Sequence, residues 1–267
     1  MRPMPRTLVL AGLMTMLFLY LPIIILIGLS FNASTMGVAW KGFSVHWYQK
    51  LLADSSIVDA TVNSLVIGGT STACALLLGL GAAIGLEKWR GRPSSWMNTL
   101  IVLPLVIPEI LMGVALLMAF VLLQVPLGFG SIIIGHMVFN LPLTVVILRA
   151  RLRKLDPAWE DAARDLGATS WNVLTGITLP MLRPAIVGAA LLSFTVSLDD
   201  FVVTFFVAGP GSTTLPLKVF SMIKTGMTPE VNALSAIMVV VSMVCVGLSW
   251  LFQQQTPSSL INNDQSS

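Results

Sequence analysis

The sequence predicts an all-α integral membrane protein with six transmembrane helices and both termini in the cytoplasm. Its composition, its apolar runs and the distribution of its charges support this prediction. Of the 267 residues, 55% are hydrophobic and only 10% are charged, and the mean hydropathy is +0.88. Because soluble domains contain about 25% charged residues, most of the outer surface of this chain is expected to face lipid.

Six apolar runs are long enough to cross a bilayer core of about 30 Å as helices. They lie at residues 7–30, 60–86, 98–123, 131–149, 184–207 and 231–252. The uncharged stretch 110–148 is too long for one span, and the turn sequence at 126–130 divides it into the third and fourth spans. The first run is longer than the apolar core of a cleavable signal peptide, so it is predicted to be a retained anchor. Residues 1–252 thus form one transmembrane domain, and the polar tail 253–267 is predicted to be disordered.

The basic residues predict the orientation of these spans. With the N-terminus inside, eleven of the 15 Lys and Arg residues fall in cytoplasmic segments and four fall outside. Both ends are therefore predicted to be cytoplasmic. The net charge of +3 is too small to indicate nucleic-acid binding. Cys74 and Cys245 lie within apolar runs, so neither a disulfide framework nor a cysteine metal site is expected.

Most of the charge lies in one cytoplasmic segment, 150–183. Asp156 and Pro157 are typical of an N-cap and a first helical position. An apolar stripe at helical spacing follows them, formed by Trp159, Ala162, Ala163 and Leu166. Gly167 is placed where a helix C-cap glycine belongs. These signals predict a short amphipathic helix on the cytoplasmic face.

A second short helix is expected after a bend. Thr169 or Ser170 is suited to cap it, and Leu179-Pro180 is expected to end it. An amphipathic loop at the membrane surface is the alternative, since the stripe by itself is common in such loops.

The segment resembles the EAA loop of binding-protein-dependent ABC importer permeases. That motif reads E-A-A, three residues, G, nine residues, I, one residue, L-P. The matching residues here are Asp161, Ala162, Ala163, Gly167, Ile177, Leu179 and Pro180. The departure is Asp161, where the family usually has Glu, although Glu160 stands beside it.

This resemblance implies a type I ABC importer permease fold. It also implies that the loop, Glu160 included, forms a coupling helix that docks on a cytoplasmic ATPase subunit dimer. The chain has no Gly-Lys pair and hence no P-loop. The energy for transport is therefore expected to come from that separate subunit.

Three acidic residues lie within the predicted spans. Glu109 follows two prolines in the third span, and Asp199 and Asp200 are adjacent in the fifth. An ionisable residue near the bilayer centre costs about 2.5–3.5 kcal/mol on insertion scales, so it is expected to face a cavity or a partner. With aromatic neighbours such as Phe201, these acids favour a cation on a translocation path. In the structural alternative one aspartate caps a helix or bonds to a neighbouring one, because adjacent helical residues point about 100° apart.

The stretch 197–201 and the loop 209–216 resemble the polyamine branch of this family, namely the second permease subunit of spermidine/putrescine systems. Further similar stretches are Ser30-Phe31-Asn32, Trp47-Tyr48 and Pro229-Glu230-Val231-Asn232-Ala233-Leu234. The resemblance implies a polyamine substrate, a path lined by Asp199 and Asp200, and a bacterial inner-membrane location. It also implies a heterodimer with a second homologous permease subunit and a periplasmic substrate-binding protein that meets the loop 208–230.

Other functions remain open at this point. The same fold carries ferric ion, amino acids or sugars in related permeases, whereas the acids disfavour an anionic substrate. A secondary carrier independent of ATP is less favoured, because the two halves show no convincing repeat. An intramembrane enzyme is disfavoured, because His46 and His136 stand alone without a metal or nucleophile motif. His136 is expected to be a packing or hydrogen-bonding residue, and the chain is expected to need no metal or cofactor.

Overall fold

The computed structural model describes residues 6–34, 39–88, 95–226 and 228–254. Within these ranges the chain forms helices, connecting segments and one isolated antiparallel bridge between Asn32 and Phe43. The helices are α1 Arg6–Ser30, α2 His46–Ala53, α3 Ser55–Lys88, α4 Ser95–Val106, α5 Glu109–Leu122, α6 Phe129–Leu152, α7 Ala158–Asp165, α8 Ser170–Val173, α9 Leu179–Asp199, α10 Val202–Val207, α11 Leu215–Thr225 and α12 Pro229–Gln254. A π-helical turn over Leu174–Thr178 joins α8 to α9.

The chain divides into two compact units. The first consists of Met1–Thr61 and Leu215–Val241, and the second of Val62–Thr214 and Ser242–Ser267. The core of the first unit is formed by the buried residues Trp47, Leu51, Ile57, Ala60, Leu215, Ala233 and Leu234. The Trp47 indole N–H donates to the carbonyl of Asn32 at 2.8 Å, which holds the segment after α1 against this core.

The second unit is built around α6, which packs along α9, and around α10, which packs against α5. Small residues allow the close approaches, as in other helical membrane proteins. A Cβ at Gly79 would lie 2.7 Å from Thr144, and one at Gly113 would lie 2.6 Å from Phe206. This unit has two apolar clusters. One contains Ile132 and Val203, and the other contains Leu148 and Leu182.

Five helical stretches of the described chain are long and apolar enough to span a bilayer, and α4 with α5 form a bent sixth candidate. The five are Thr7–Ser30, Ser55–Lys88, Phe129–Leu152, Ser170–Asp199 and Pro229–Gln254. The third predicted span, 98–123, is divided between α4 and α5, and the chain bends by 103° between them. Pro108 lies at this break; proline has no N–H to donate, and it disfavours helical backbone at the residue before it.

The fifth predicted span, 184–207, is likewise divided between two helices. α9 ends at Asp199, and α10 starts at Val202 after a break at Asp200 and Phe201. At its other end, Leu179-Pro180 does not end a separate short helix, because the helical stretch continues from Ser170 to Asp199. The Leu179 N–H donates to the carbonyl of Leu174 five residues back, and this wider turn accommodates the proline that follows.

The last helix extends two residues into the predicted tail. α12 ends at Gln254, so Gln253 and Gln254 are helical rather than disordered. Residues 255–267, where the rest of the predicted tail falls, lie outside the described residues. Arg2, Arg90 and Arg92, which contributed to the predicted orientation, also lie outside them.

Candidate functional site

A cavity of about 530 Å³ lies in the second unit, between α4, α5, α6, α9 and α10. All four residues predicted to line a substrate path border this cavity: Glu109, Asp199, Asp200 and Phe201. The other walls are mainly apolar and include Met112, Phe139 and Leu143. The fold therefore brings together acidic residues that lie about 90 positions apart in the sequence.

Glu109 reaches the cavity because of the bend between α4 and α5. It is the first residue of α5, directly after Pro108, and its side chain is exposed. An acidic residue in the first turn is favourable because the N–H groups there carry partial positive charge. The bend thus provides a helix start at which a carboxylate is tolerated within an apolar segment.

Asp200 lies at the break after α9. Its carboxylate accepts hydrogen bonds from the Val203 N–H at 3.3 Å and from the Thr204 N–H at 2.8 Å. The Thr204 hydroxyl donates to the same carboxylate at 2.7 Å. These bonds satisfy the free donors at the start of α10, as an N-capping side chain does. Asp200 is therefore a structural element of the cavity wall.

His136, on α6, holds this carboxylate from the other side. Its Nε2 lies 3.2 Å from Asp200 Oδ2 and 2.9 Å from Thr204 Oγ1, and its Nδ1 lies 2.5 Å from Ser197 Oγ. The His136 side chain is 1% exposed and that of Asp200 is 6% exposed. The prediction that His136 is a hydrogen-bonding residue is confirmed. Its link to Asp200 was missed, because no local pattern connects α6 with the end of α9.

Asp199 differs from its neighbour. It is exposed, and its carboxylate accepts a hydrogen bond from the Ser242 hydroxyl of α12, with distances of 2.9 and 2.8 Å to its two oxygens. A single hydroxyl leaves much of the acceptor capacity of a carboxylate unused. Asp199 is thus the aspartate of this pair that is available to a ligand in the cavity.

The segment before α9 has the local structure that its sequence predicts. Asp156 Oδ1 accepts from the Ala158 N–H at 2.9 Å at the start of α7. Gly167 has a φ of +84°, the left-handed conformation expected after the end of a helix. Thr169, one of the two predicted caps, accepts from the Asn172 N–H at 3.3 Å. The two caps and the glycine together produce the expected bend between α7 and α8.

The apolar stripe of this segment is uncovered. None of the eight residues of α7, all of which the structure describes, is buried. Trp159 is 52% exposed, Leu166 is 90% exposed and Trp171, in α8, is 69% exposed. Side chains of this size are rarely left together in water unless a partner covers them. Of the other motif residues, Asp161, Ala162 and Gly167 are exposed, and Ala163, Ile177, Leu179 and Pro180 are partly buried.

Glu160 points in a different direction from the rest of the motif. Its carboxylate accepts from Lys88 Nζ at 2.7 and 2.9 Å and from the Thr178 hydroxyl at 2.7 Å. Burial acts to raise the pKa of Glu160, but the hydrogen bonds from Lys88 and Thr178 outweigh it and hold the pKa below its usual value. Glu160 therefore connects α7 to the end of α3 and to the π-helical turn. Lys88 and Thr178 are partners that the sequence did not indicate.

A second ionic cluster lies near the same end of α3. Glu87 accepts from Arg149 Nε at 3.2 Å and from Arg153 Nε at 3.1 Å. Arg149 also donates to the side chain of Asn98 at 2.6 Å, so the cluster connects α3, α4 and α6. The helix ends next to α7 are thus joined by charged hydrogen bonds, which are stronger than neutral ones.

Comparison with solved structures defines the class of this fold. The chain is similar to a bacterial ABC transporter involved in the import of the acidic polysaccharide alginate, with a TM-score of 0.71 and 16% identity, covering 94% of this chain and 95% of that chain. It is also similar to the MetNI methionine ABC transporter, with a TM-score of 0.60 and 16% identity, covering 79% of this chain and 98% of that chain. The fold is therefore that of an ABC importer permease.

Comparison of sequences defines the family. The family described as binding-protein-dependent transport system inner membrane component matches residues 75–256, and the chain belongs to this family. The chain is 41% identical over 238 residues to the spermidine/putrescine transport system permease protein PotC of Haemophilus influenzae, covering 89% of this chain and 93% of that protein. It is 38% identical over 255 residues to the putrescine transport system permease protein PotI of Escherichia coli K12, covering 93% of this chain and 91% of that protein. The predicted family and the multi-pass inner-membrane location are confirmed.

Proposed function

We propose that this chain is a permease subunit of an ABC importer that moves putrescine or spermidine from a periplasmic binding protein into the cytoplasm. The observation that carries this proposal is the cavity that Glu109, Asp199 and Phe201 line together. The printed functions of the relatives, spermidine/putrescine and putrescine transport, support the same substrate class.

The chemistry of the cavity suits a flexible polycation. Alkyl amines resemble the Lys side chain, whose pKa is about 10.4, so a polyamine carries several positive charges at neutral pH. Three carboxylates line the cavity, and no Lys or Arg is found among the described residues that border it. Asp200 is already bonded to Thr204 and His136, so Asp199 and Glu109 are the acids proposed to contact the amines. Phe201 and Phe139 supply aromatic faces, which attract cations by about 0.5–2 kcal/mol.

The conformational change driven by ATP hydrolysis is proposed to reach this chain through α7 and α8. Their exposed Trp159, Leu166 and Trp171 form an apolar surface on a helix pair that is attached to α9 through the π-helical turn. We propose that this surface docks on a dimer of cytoplasmic ATPase subunits. Closure of that dimer then moves α9, whose far end carries Asp199. The second half of the conduit is proposed to be a different but homologous permease subunit, with both termini of this chain in the cytoplasm.

Uptake in proteoliposomes tests the proposal. The full transporter, with its binding protein outside and ATP inside, is expected to accumulate radiolabelled putrescine or spermidine. The double variant Glu109→Gln with Asp199→Asn is expected to lose most of this uptake while the complex still assembles. The matched control is Asp59→Asn, an exposed acid of α3 that does not border the cavity.

Three results would contradict the proposal. Wild-type polyamine uptake by the double variant would show that the acids are not on the path. Transport of ferric ion, an amino acid or a sugar in place of polyamines would be compatible with the fold but would exclude polyamines as the substrate. Uptake that persists without ATP and disappears with the ion gradient would exclude the ABC mechanism.

A further inference from the structure

A small basic pocket lies at the C-terminal end of α6, apart from the acidic cavity. It has a volume of about 100 Å³ and is bordered by Ile147, Arg151, Lys154, Pro184, Ala185 and Gln253. Two of these residues are cations, and no carboxylate is found among the described residues that border it. A water molecule occupies about 30 Å³ in the liquid, so the pocket has room for a group the size of a few waters.

Arg151 is the unusual residue of this pocket. Its Nε is buried and has no hydrogen-bond partner among the described residues. The guanidinium group remains charged at any physiological pH, so it cannot lower the cost of burial by losing its proton. A buried donor without a partner is uncommon in native proteins and indicates a group that the described residues do not supply.

Neighbouring cations provide a direct contrast. Lys88, Arg149, Arg153 and Arg164 each form an ion pair with Glu87, Glu160 or Asp161. Within the part of the chain that the structure describes, no such pair is found for Arg151 or Lys154. These two cations at the end of α6 therefore differ from those four in having no acid beside them.

We propose that this pocket binds the headgroup phosphate of an anionic phospholipid, such as phosphatidylglycerol. The planar guanidinium of Arg151 matches phosphate oxygens through two parallel N–H bonds, and Lys154 adds a second positive charge. Anionic headgroups collect at basic residues next to the ends of membrane spans.

The position of the pocket favours a lipid over a soluble anion. It lies at the C-terminal end of the α6 span Phe129–Leu152, and Ile147, Pro184 and Ala185 form an apolar part of its wall. An acyl chain attached to the phosphate therefore has apolar surface to contact, whereas inorganic phosphate gains nothing from it. The competing occupants are Asp264, in the undescribed segment 255–267, and an acidic residue of a partner subunit.

Native mass spectrometry of the full-length protein, with the subunits that purify with it, tests this proposal by titration with phosphatidylglycerol. Arg151→Gln and Lys154→Gln are each expected to weaken the tightest lipid adduct about fivefold, and the double variant about 25-fold. Arg151→Lys keeps the positive charge but lacks the planar guanidinium, and its lipid affinity is expected to lie between those of the wild type and Arg151→Gln. The matched control is Arg183→Gln, which removes an exposed cation of α9 outside the pocket and is expected to retain wild-type affinity.

Further experiments distinguish a lipid headgroup from free phosphate and from the segment 255–267 as the source of the bound anion. Phosphatidylcholine and inorganic phosphate are expected not to displace the bound phosphatidylglycerol, and deletion of 255–267 is expected not to change its affinity. Equal phosphatidylglycerol affinity in the double variant and the wild type would overturn the proposal. Displacement of the bound phosphatidylglycerol by inorganic phosphate would also overturn it, as would lipid binding that is seen only after deletion of 255–267. The same holds if the double variant loses a subunit while its lipid binding is unchanged.

Discussion

Two pairs of adjacent carboxylates are used in the same way in different parts of the molecule. In α7, Glu160 points inward to Lys88 and Thr178, while the side chain of Asp161 is 67% exposed. At the end of α9, Asp200 points inward to Thr204 and His136, while Asp199 is exposed. In α7 the two carboxylates diverge because adjacent residues on a helix point about 100° apart. At the end of α9 they diverge because Asp199 is the last helical residue and Asp200 lies in the break that follows. In each pair one acid holds the structure and the other is exposed.

The two pairs also differ in what surrounds the inward acid. Asp200 is 6% exposed and bonded within its own α9–α10 connection and to α6, whereas Glu160 is 20% exposed and paired with a lysine that is 35% exposed. Water screens the second pair more than the first. The comparison therefore predicts a graded series of effects.

The largest effect is expected for Asp200→Ala. The change removes the cap of α10 and leaves His136 and Thr204 without their acceptor in a buried site. Leaving a buried donor without its acceptor costs about 1–3 kcal/mol for each group. We expect a clear fall in the thermal unfolding temperature and in the yield of assembled complex. Asp200→Asn keeps an oxygen acceptor for the cap and is the matched control; equal loss in both variants would contradict a capping role.

The next effect concerns transport rather than stability. Asp199→Asn removes a charge that the fold does not need, so its unfolding temperature is expected to match that of the wild type. Losing one charged hydrogen bond to the substrate, worth about 1.5–3 kcal/mol, is expected to weaken polyamine uptake roughly tenfold or more. Ser242→Ala removes the hydroxyl that bonds Asp199 and is expected to leave uptake close to normal. If Asp199→Asn were unstable and Asp200→Ala stable, the roles assigned to the two residues would be reversed.

A smaller effect is expected at the attachment of α7. Lys88→Glu and Glu160→Lys each place like charges together, and each is expected to lower transport more than ATP hydrolysis, because α7 no longer moves with α3 and α9. The double charge swap is expected to restore part of the coupling. Partly exposed pairs contribute roughly 0.2–1 kcal/mol, so the measurement is the ratio of uptake to ATP hydrolysed. Single variants that leave this ratio unchanged would exclude a coupling role for the pair.

The smallest effect is a dependence on pH. The folded-state pKa of Glu160 is lowered from its ordinary value of 4.5. The carboxylate therefore stabilises the attachment of α7 fully above pH 4.5, and this contribution is lost as the pH falls through the lowered pKa. Hydrogen exchange of the α7 amides is expected to accelerate in that acidic range. Glu160→Gln is expected to abolish this acid-dependent step, and persistence of the step in this variant would assign it to another group.

Much of the local structure could be predicted from the sequence. The apolar runs, the cap at Asp156, the left-handed Gly167 and the cap at Thr169 all depend on residues within a few positions of one another. Capping of a helix by one of the two adjacent aspartates was foreseen as the structural alternative, but the break in the helix at Asp200 was not. Its place inside an apolar run favoured a continuous span instead.

Sequence by itself determined that this chain is a helical membrane protein and which short segment resembles the EAA loop, because hydropathy, helix signals and motif spacing are local. Only the tertiary structure decided that Glu109, Asp199 and Phe201 share one cavity, that Glu160 and Asp200 point inward, and that Arg151 Nε has no hydrogen-bond partner among the described residues. Those features depend on contacts between helices that are distant in the chain. The direction in which a helical side chain points can be interpreted only when the residue that it contacts is known.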